Sequence, residues 1–245
     1  MQRFKLTLEY DGTGYCGWQR QKESVSLQEV LEDAIFELTG EKVEAIASGR
    51  TDAGVHAINQ VAHFDLEKGF GTDKILKGLN YYLKGKPISI ISVDGVDDDF
   101  HARFKAKKRH YRYIILNRKS PPVLQLNRVW YVIPKLDVDA MRGAAKYLIG
   151  EHDFSSFRAS ACQAKNPVKT MESITITEDG DKIYFDITAI SFLHHMCRNI
   201  VGTLKEVGEG KRISSDIPKM IKAKNRSTAG ATAPAHGLYF VSVEY

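Results

Sequence analysis

The chain has 245 residues, 43% hydrophobic and 27% charged, with a formal net charge of +5. That length and apolar content suffice for one large folded domain or two ordinary ones, which excludes a disordered tail or a small disulfide scaffold. No apolar run approaches the roughly 20 residues of a membrane span, and Met1-Gln2-Arg3 runs straight into a strand-like segment without a secretory pattern, so a cytoplasmic protein is expected.

The elements follow in chain order. "FKLTLEY" alternates as a strand and leads into the Gly-rich loop "DGTGYCGW". Ser26 and Glu29 form a capping-box pattern ahead of an amphipathic helix whose stripe is Leu27, Val30, Leu31, Ala34, Ile35 and Leu38, with Gly40 as its stop. A strand near Val43 to Ala47, the loop "SGRTDAGVHA" and a strand at "NQVAHFD" come next, then a helix near Asp73 to Leu83 and the strand "PISIISV". The second half opens with the strand "RHYRYIIL" and meets a loop at Pro121-Pro122. Helices are expected near Val138 to Leu148 and from about His194 to Val207. Between them a strand pair, "ESITITEDGDKIYFDITAI", turns at Asp179-Gly180-Asp181, and "GLYFVSVEY" closes the chain as a strand. Hairpins without regular strand-helix alternation indicate an α+β fold on a largely antiparallel sheet, with a domain boundary near Phe104 that separates residues 1–104 from 105–245.

Charge is unevenly placed. Residues 101–136 hold ten Lys and Arg and no acid, directly after Asp97, Asp98 and Asp99, and Tyr111 and Tyr113 interleave with Arg109 and Arg112. Cations beside base-stacking rings suit RNA. Cys16, Cys162 and Cys197 are odd in number and far apart, which fits reduced thiols, and zinc-ribbon spacing is absent. "HHMC" places His194, His195 and Cys197 together, but adjacent helical histidines point about 100° apart, an awkward pair of metal ligands. Ser48, Asp52 and His56 lack a nucleophile-elbow pattern, and "DGTGYCG" spaces its glycines unlike a dinucleotide-binding loop. Asp52, flanked by small residues and two positions after Arg50, has the surroundings of a nucleophile, although an aspartate closing a turn would look alike. Asp11 in "YDGTG", with no adjacent Arg, reads as a turn residue.

"GRTDAGVHA" followed by Gln60 resembles the active-site motif of the TruA family of tRNA pseudouridine synthases. "YDGTGYCGWQRQ", "DDFHARFKAKKRHYRY", "GEHDFSSFRA", "FLHHMCRNIVGTL" and "HGLYF" resemble that family's other blocks in the same order, over nearly the whole chain. The departures are mild: Cys197 stands where an aliphatic residue is usual, and Phe240 where Leu is common.

The resemblance implies two ferredoxin-like α/β units around a mixed sheet with helices on one face. It also implies a cofactor-free, metal-free isomerisation of uridine to pseudouridine in the anticodon arm of tRNA by a homodimer. In that reading Asp52 is the catalytic carboxylate, attacking C1′ or C6 or acting through a glycal path. Arg198 is its guanidinium partner, Arg50 holds the flipped-out nucleotide or the vacated stem, Tyr111 stacks on the uracil and Leu238 walls the pocket. Strand alternation alone does not choose between Tyr111 and Tyr113. Lys105, Lys107, Lys108 and Arg109 are expected on the RNA backbone. The competing readings are a non-catalytic basic RNA-binding module and, more weakly, a hydrolase using Asp52 with His56.

Overall fold

A computed structural model describes residues 1–245. In chain order it holds β1 (Gln2–Tyr10), α1 (Leu27–Thr39), β2 (Ile46–Ala47), β3 (His56–Leu66), α2 (Thr72–Tyr82), β4 (Ile88–Val96), β5 (Lys108–Asn117) and β6 (Trp130–Val132). There follow α3 (Val138–Ala145), β7 (Gly150–Asp153), β8 (Val168–Asp179), β9 (Lys182–Ala189), α4 (Met196–Gly208), α5 (Asp216–Ala223) and β10 (Leu238–Glu244), with short 3-10 turns between. The fold is α+β and its sheet pairings are mostly antiparallel, as the hairpin-rich pattern predicts. No helix is long and apolar enough to cross a membrane. The chain forms two compact units, Met1–Arg109 with Tyr239–Tyr245, and His110–Leu238.

In the first unit the strands run β4-β1-β3-β10, with β2 beside β3. β1 is antiparallel to both neighbours, and its Phe4, Leu6, Leu8 and Tyr10 are buried on one face, the period-2 signature of a strand with one side on a core. The rings of Phe4 and Phe64 stack with centroids 5.7 Å apart. Leu27, Leu31 and Ile35 of α1 and Ile75 and Leu79 of α2 complete this core. Each such side chain contributes roughly 1.5–3 kcal/mol by leaving water. Ser26 caps α1 by accepting the Glu29 N–H at 3.1 Å, but the Glu29 carboxylate turns to Arg20 at 3.2 Å, so only half of the expected capping box forms. β10 lies parallel to β3, Tyr239 opposite His56, so seven C-terminal residues belong to the unit that begins the chain.

In the second unit the order is β5-β9-β8-β7, with the short β6 parallel to β5. β8 and β9 form the expected hairpin, Asp179 opposite Lys182. α4 buries Met196, Ile200, Val201, Leu204 and Val207. It meets other backbone closely at Gly202, where a side chain would collide with the carbonyl of Ala231. The strand expected near Val43 to Ala47 is only Ile46–Ala47, and the helix expected from Val138 to Leu148 tightens to a 3-10 turn after Ala145.

Candidate active site

In the first unit, the segment between β2 and β3 is clamped from both sides. The Gly17 backbone bridges Asp52, and the Trp18 N–H donates to the Thr51 carbonyl at 3.1 Å. Gly17 has φ +103°, and a Cβ there would sit 2.5 Å from the Thr51 oxygen, so no other residue fits. At the loop's far end, the Asp52 carbonyl accepts the Val55 N–H at 3.1 Å around Gly54, whose φ of +77° suits the third position of a type II turn. The turn is thus closed by the main chain of Asp52. Asp52 itself is half-buried and Arg50 is exposed.

A buried polar network lies beneath the loop. The Tyr10 and Thr51 hydroxyls are 2.8 Å apart, the Gln60 amide nitrogen donates to the Gly49 carbonyl at 2.9 Å, and Ser48 donates to the Gln60 amide oxygen at 2.7 Å. Burial pushes the Tyr10 phenol up to about 12, against the lowering effect of its bonds to Thr51 and Gln60. It therefore stays protonated near neutral pH. Each loop residue from Ser48 to Thr51, Arg50 excepted, is held through this network.

Asp11 behaves as the turn residue expected, with its carboxylate accepting the N–H and hydroxyl of Thr13 at 3.0 and 2.7 Å. The same oxygen lies 2.9 Å from Nδ1 of the buried His56, and that Nδ1 accepts the Gly12 N–H at 3.1 Å. The His56 ring packs on Tyr239 at 4.8 Å. His56 is thereby tied to Asp11 and Tyr239 and anchors the end of the loop.

In the second unit, Tyr111 and Tyr113 share the buried face of β5. The Tyr113 hydroxyl donates to the Pro234 carbonyl at 2.7 Å, and burial raises it well above the ordinary tyrosine range. Gly237 fits under its ring, where a Cβ would come within 2.6 Å of Cζ. Tyr113 is therefore a core residue, and Tyr111 is buried on the same face. Tyr111 meets Phe192 edge to face at 5.0 Å. Arg198 stands in the first turn of α4, half-buried, its Nε donating to the Ala233 carbonyl at 2.8 Å. Leu238, buried, is the first residue of β10. His194 and His195 both precede α4, with His195 at its N-cap in the left-handed region, so the angular separation expected of helical neighbours does not hold. Their rings are 4.0 Å apart.

Several cations of the basic stretch already have partners. Arg109 donates to the carbonyls of Ser48, Arg103 and Ala106 at 2.8–3.3 Å. Arg112 grips Asp186 with two bonds of 2.9 and 3.1 Å, and His110 reaches the same carboxylate at 2.8 Å. Burial would raise Asp186, but these bonds outweigh it and hold the carboxyl below its usual range. Lys105 pairs with Asp99 at 2.7 Å on the surface, Lys107 is exposed and Lys108 half-buried.

A family model described as tRNA pseudouridine synthase matches residues 7–105 and 144–245. The chain belongs to that synthase family. Among its relatives named tRNA pseudouridine synthase A, that of Rhodospirillum centenum is 51% identical over 245 residues, covering 100% of both chains. That of Wolbachia pipientis from Culex pipiens is 49% identical over 99% of this chain and 100% of its own. That of Rhodospirillum rubrum is 49% identical over 100% of this chain and 88% of its own.

Sequence reasoning about this synthase missed Tyr10 and Thr51 as supports of the loop. Tyr10 had one readable signal, as the last buried residue in the alternation of β1 just before the Gly-rich loop. Thr51 had none, because its partner stands 41 positions away.

Proposed function

We propose that this synthase isomerises uridine to pseudouridine in the anticodon arm of tRNA, with Asp52 as the catalytic nucleophile. The observation that carries the reading is the build of the Asp52 loop. Gly17, Gly54, Tyr10, Thr51 and Gln60 fix its backbone while Arg50 projects from it, an arrangement that presents a carboxylate in one geometry. The six blocks shared with the family support the same assignment.

The reaction breaks the uridine N1–C1′ bond, turns the uracil within the pocket and forms a C5–C1′ bond. The C5 proton is lost and N1 takes one up, so atoms balance, nothing is oxidised and no cofactor is needed. Asp52 supplies the nucleophile at C1′ or C6, or accepts a sugar proton on a glycal path. Arg198 is proposed as the guanidinium partner of that carboxylate. Tyr111 stacks on the uracil, Leu238 closes the pocket wall and Arg50 holds the flipped nucleotide's phosphate or the vacated stem. Extracting a stem base costs a few kcal/mol, which phosphate contacts from Lys105, Lys107 and Lys108 offset. Arg109 joins them by shaping the backbone from which they project. The enzyme works in the cytoplasm as a homodimer.

The test is to map pseudouridine in an unmodified tRNA transcript after incubation with the protein, by carbodiimide adduct formation and primer extension. Adducts at anticodon-arm uridines are expected. Adducts confined to another arm would overturn the site assignment, and tRNA binding with no adduct anywhere would favour the RNA-binding module.

A further inference from the structure

Phe104 is 77% exposed, an uncommon position for a large aromatic ring, yet the backbone that carries it is tied at several points. The Phe100 carbonyl accepts from Arg3 at 2.7 Å, that of His101 from the Lys105 N–H at 3.0 Å, and that of Ala102 from the Tyr245 hydroxyl at 2.9 Å. Arg109 takes the carbonyls of Arg103 and Ala106. From inside the turn, His101 Nδ1 accepts the N–H groups of both Arg103 and Phe104 at 3.2 Å, which requires a neutral ring. Burial and the nearby Arg3 lower the His101 pKa and favour that form. Beneath it the buried His63 meets the His101 ring at 4.7 Å and accepts the Ala102 N–H at 3.2 Å.

Side chains from positions 3, 63, 109 and 245 thus converge to hold an apolar ring in water. Stability alone does not call for this, since an exposed phenyl group gains little from burial. The His101 and Phe104 rings lie 4.3 Å apart and 34° from parallel, and the Arg103 guanidinium lies 5.7 Å from the Phe104 centroid. Beside them opens a pocket of about 170 Å³ whose lining includes Trp18, Gln19, Arg50, His101, Arg103 and Phe104. Its charges are Arg50 and Arg103 against the single carboxylate of Glu44, so it favours an anion.

We propose that Phe104, with Arg103 and the pocket beside Arg50, is a stacking subsite for one unpaired nucleotide of the substrate RNA. A π face accepts any base, and an adjacent guanidinium serves its phosphate, so the subsite reads an unpaired nucleotide by shape and charge and not by sequence. Arg50 belongs both to this pocket's lining and to the Asp52 loop, which sets the subsite one short step along the strand from the reacting uridine. The proposal rests on the RNA-modifying function above and adds where a second nucleotide is held.

Phe104→Leu keeps an apolar side chain and removes the stacking face, whereas Phe104→Trp keeps the face. The experiment is equilibrium binding of an anticodon-arm hairpin transcript by fluorescence anisotropy at one fixed salt concentration, with thermal melting of each variant alongside. Phe104→Leu should bind about tenfold more weakly at an unchanged melting temperature, within the range found for one base–aromatic stack. Phe104→Trp should recover most of that loss, and Arg103→Gln should reduce the salt slope of log Kd by about one. Wild-type affinity in Phe104→Leu would overturn the subsite, as would equal losses in Leu and Trp, which mark a steric role. Either result, with pseudouridine still formed in the transcript by the wild type, would leave the proposed function standing. Absence of pseudouridine in the wild-type reaction would remove that function instead.

Discussion

Tyr10→Phe removes one oxygen from beneath the Asp52 loop and leaves ring volume unchanged. Tyr10 is buried, and its packing on Trp18, at 6.0 Å between ring centroids, is retained. The loss falls on Thr51, a buried residue whose hydroxyl has the phenol as its partner at 2.8 Å. An unsatisfied buried hydroxyl costs about 1–3 kcal/mol. The Gln60 amide keeps its 2.9 Å bond to Gly49, so its longer 3.4 Å contact with the phenol adds little. A chain of this size loses about 2–4 °C per kcal/mol, so a central value near 2 kcal/mol lowers the melting temperature by roughly 4–8 °C. Thr51 adjoins Asp52, and a loosened loop misplaces the carboxylate in the transition state, so kcat should fall by a larger factor than KM rises. Thermal melting and steady-state pseudouridine formation measure both. A Tyr10→Phe protein with wild-type melting temperature and wild-type kcat would refute the argument that this network positions the loop.

Two further outcomes follow from the electrostatics. Burial first, then His101 and Arg3, depress His63 from 6.5 to about 4, so between those values the unfolded chain binds a proton that the folded chain refuses. Stability is therefore full above about pH 6.5 and declines as pH falls toward 4, by about 3 kcal/mol at 1.4 kcal/mol per pH unit. Urea unfolding at a series of pH values should show this slope, and His63→Gln should flatten it whatever its effect at neutral pH. Arg109→Ala, which frees three carbonyls, should lower the melting temperature, whereas Lys107→Ala should leave melting unchanged and reduce the salt slope of tRNA binding by about one. Melting curves and a salt titration of both variants decide the matter, and a thermally silent Arg109→Ala would contradict the role given to it.

What was legible in the chain was the local physics. α1 announces itself by Ser26, its apolar stripe and Gly40, and the β8–β9 hairpin by two alternating strands around Asp179-Gly180-Asp181. β6 was not legible, because three residues acquire strand geometry only by lying beside Ile115–Asn117. α5 was hidden by Pro218, which reads as a breaker but stands in the first helical turn, where its missing N–H is tolerated. The return of β10 to the first unit depends on its pairing with β3, and no local pattern encodes that. The same limit applies at the site. Motif spacing singles out Arg50 and Asp52, but the Tyr10, Thr51 and Gln60 network joins segments about 50 positions apart through buried polar atoms that alternation cannot match. Charge patterning did not reveal the intramolecular partners of the basic stretch for a related reason. Arg109 and Arg112 look like phosphate ligands in one dimension, and three dimensions give them carbonyls and Asp186.

The measurement that tests the central claim most directly is tritium release from a tRNA transcript labelled at uracil C5, with wild type and Asp52→Asn in parallel. The substitution keeps size and hydrogen-bonding reach while removing the nucleophilic charge. Release by the wild type and none by Asp52→Asn, with tRNA affinity preserved, is the predicted result. Release at the wild-type rate from Asp52→Asn would contradict it, because no carboxylate at that position would then be needed for the chemistry.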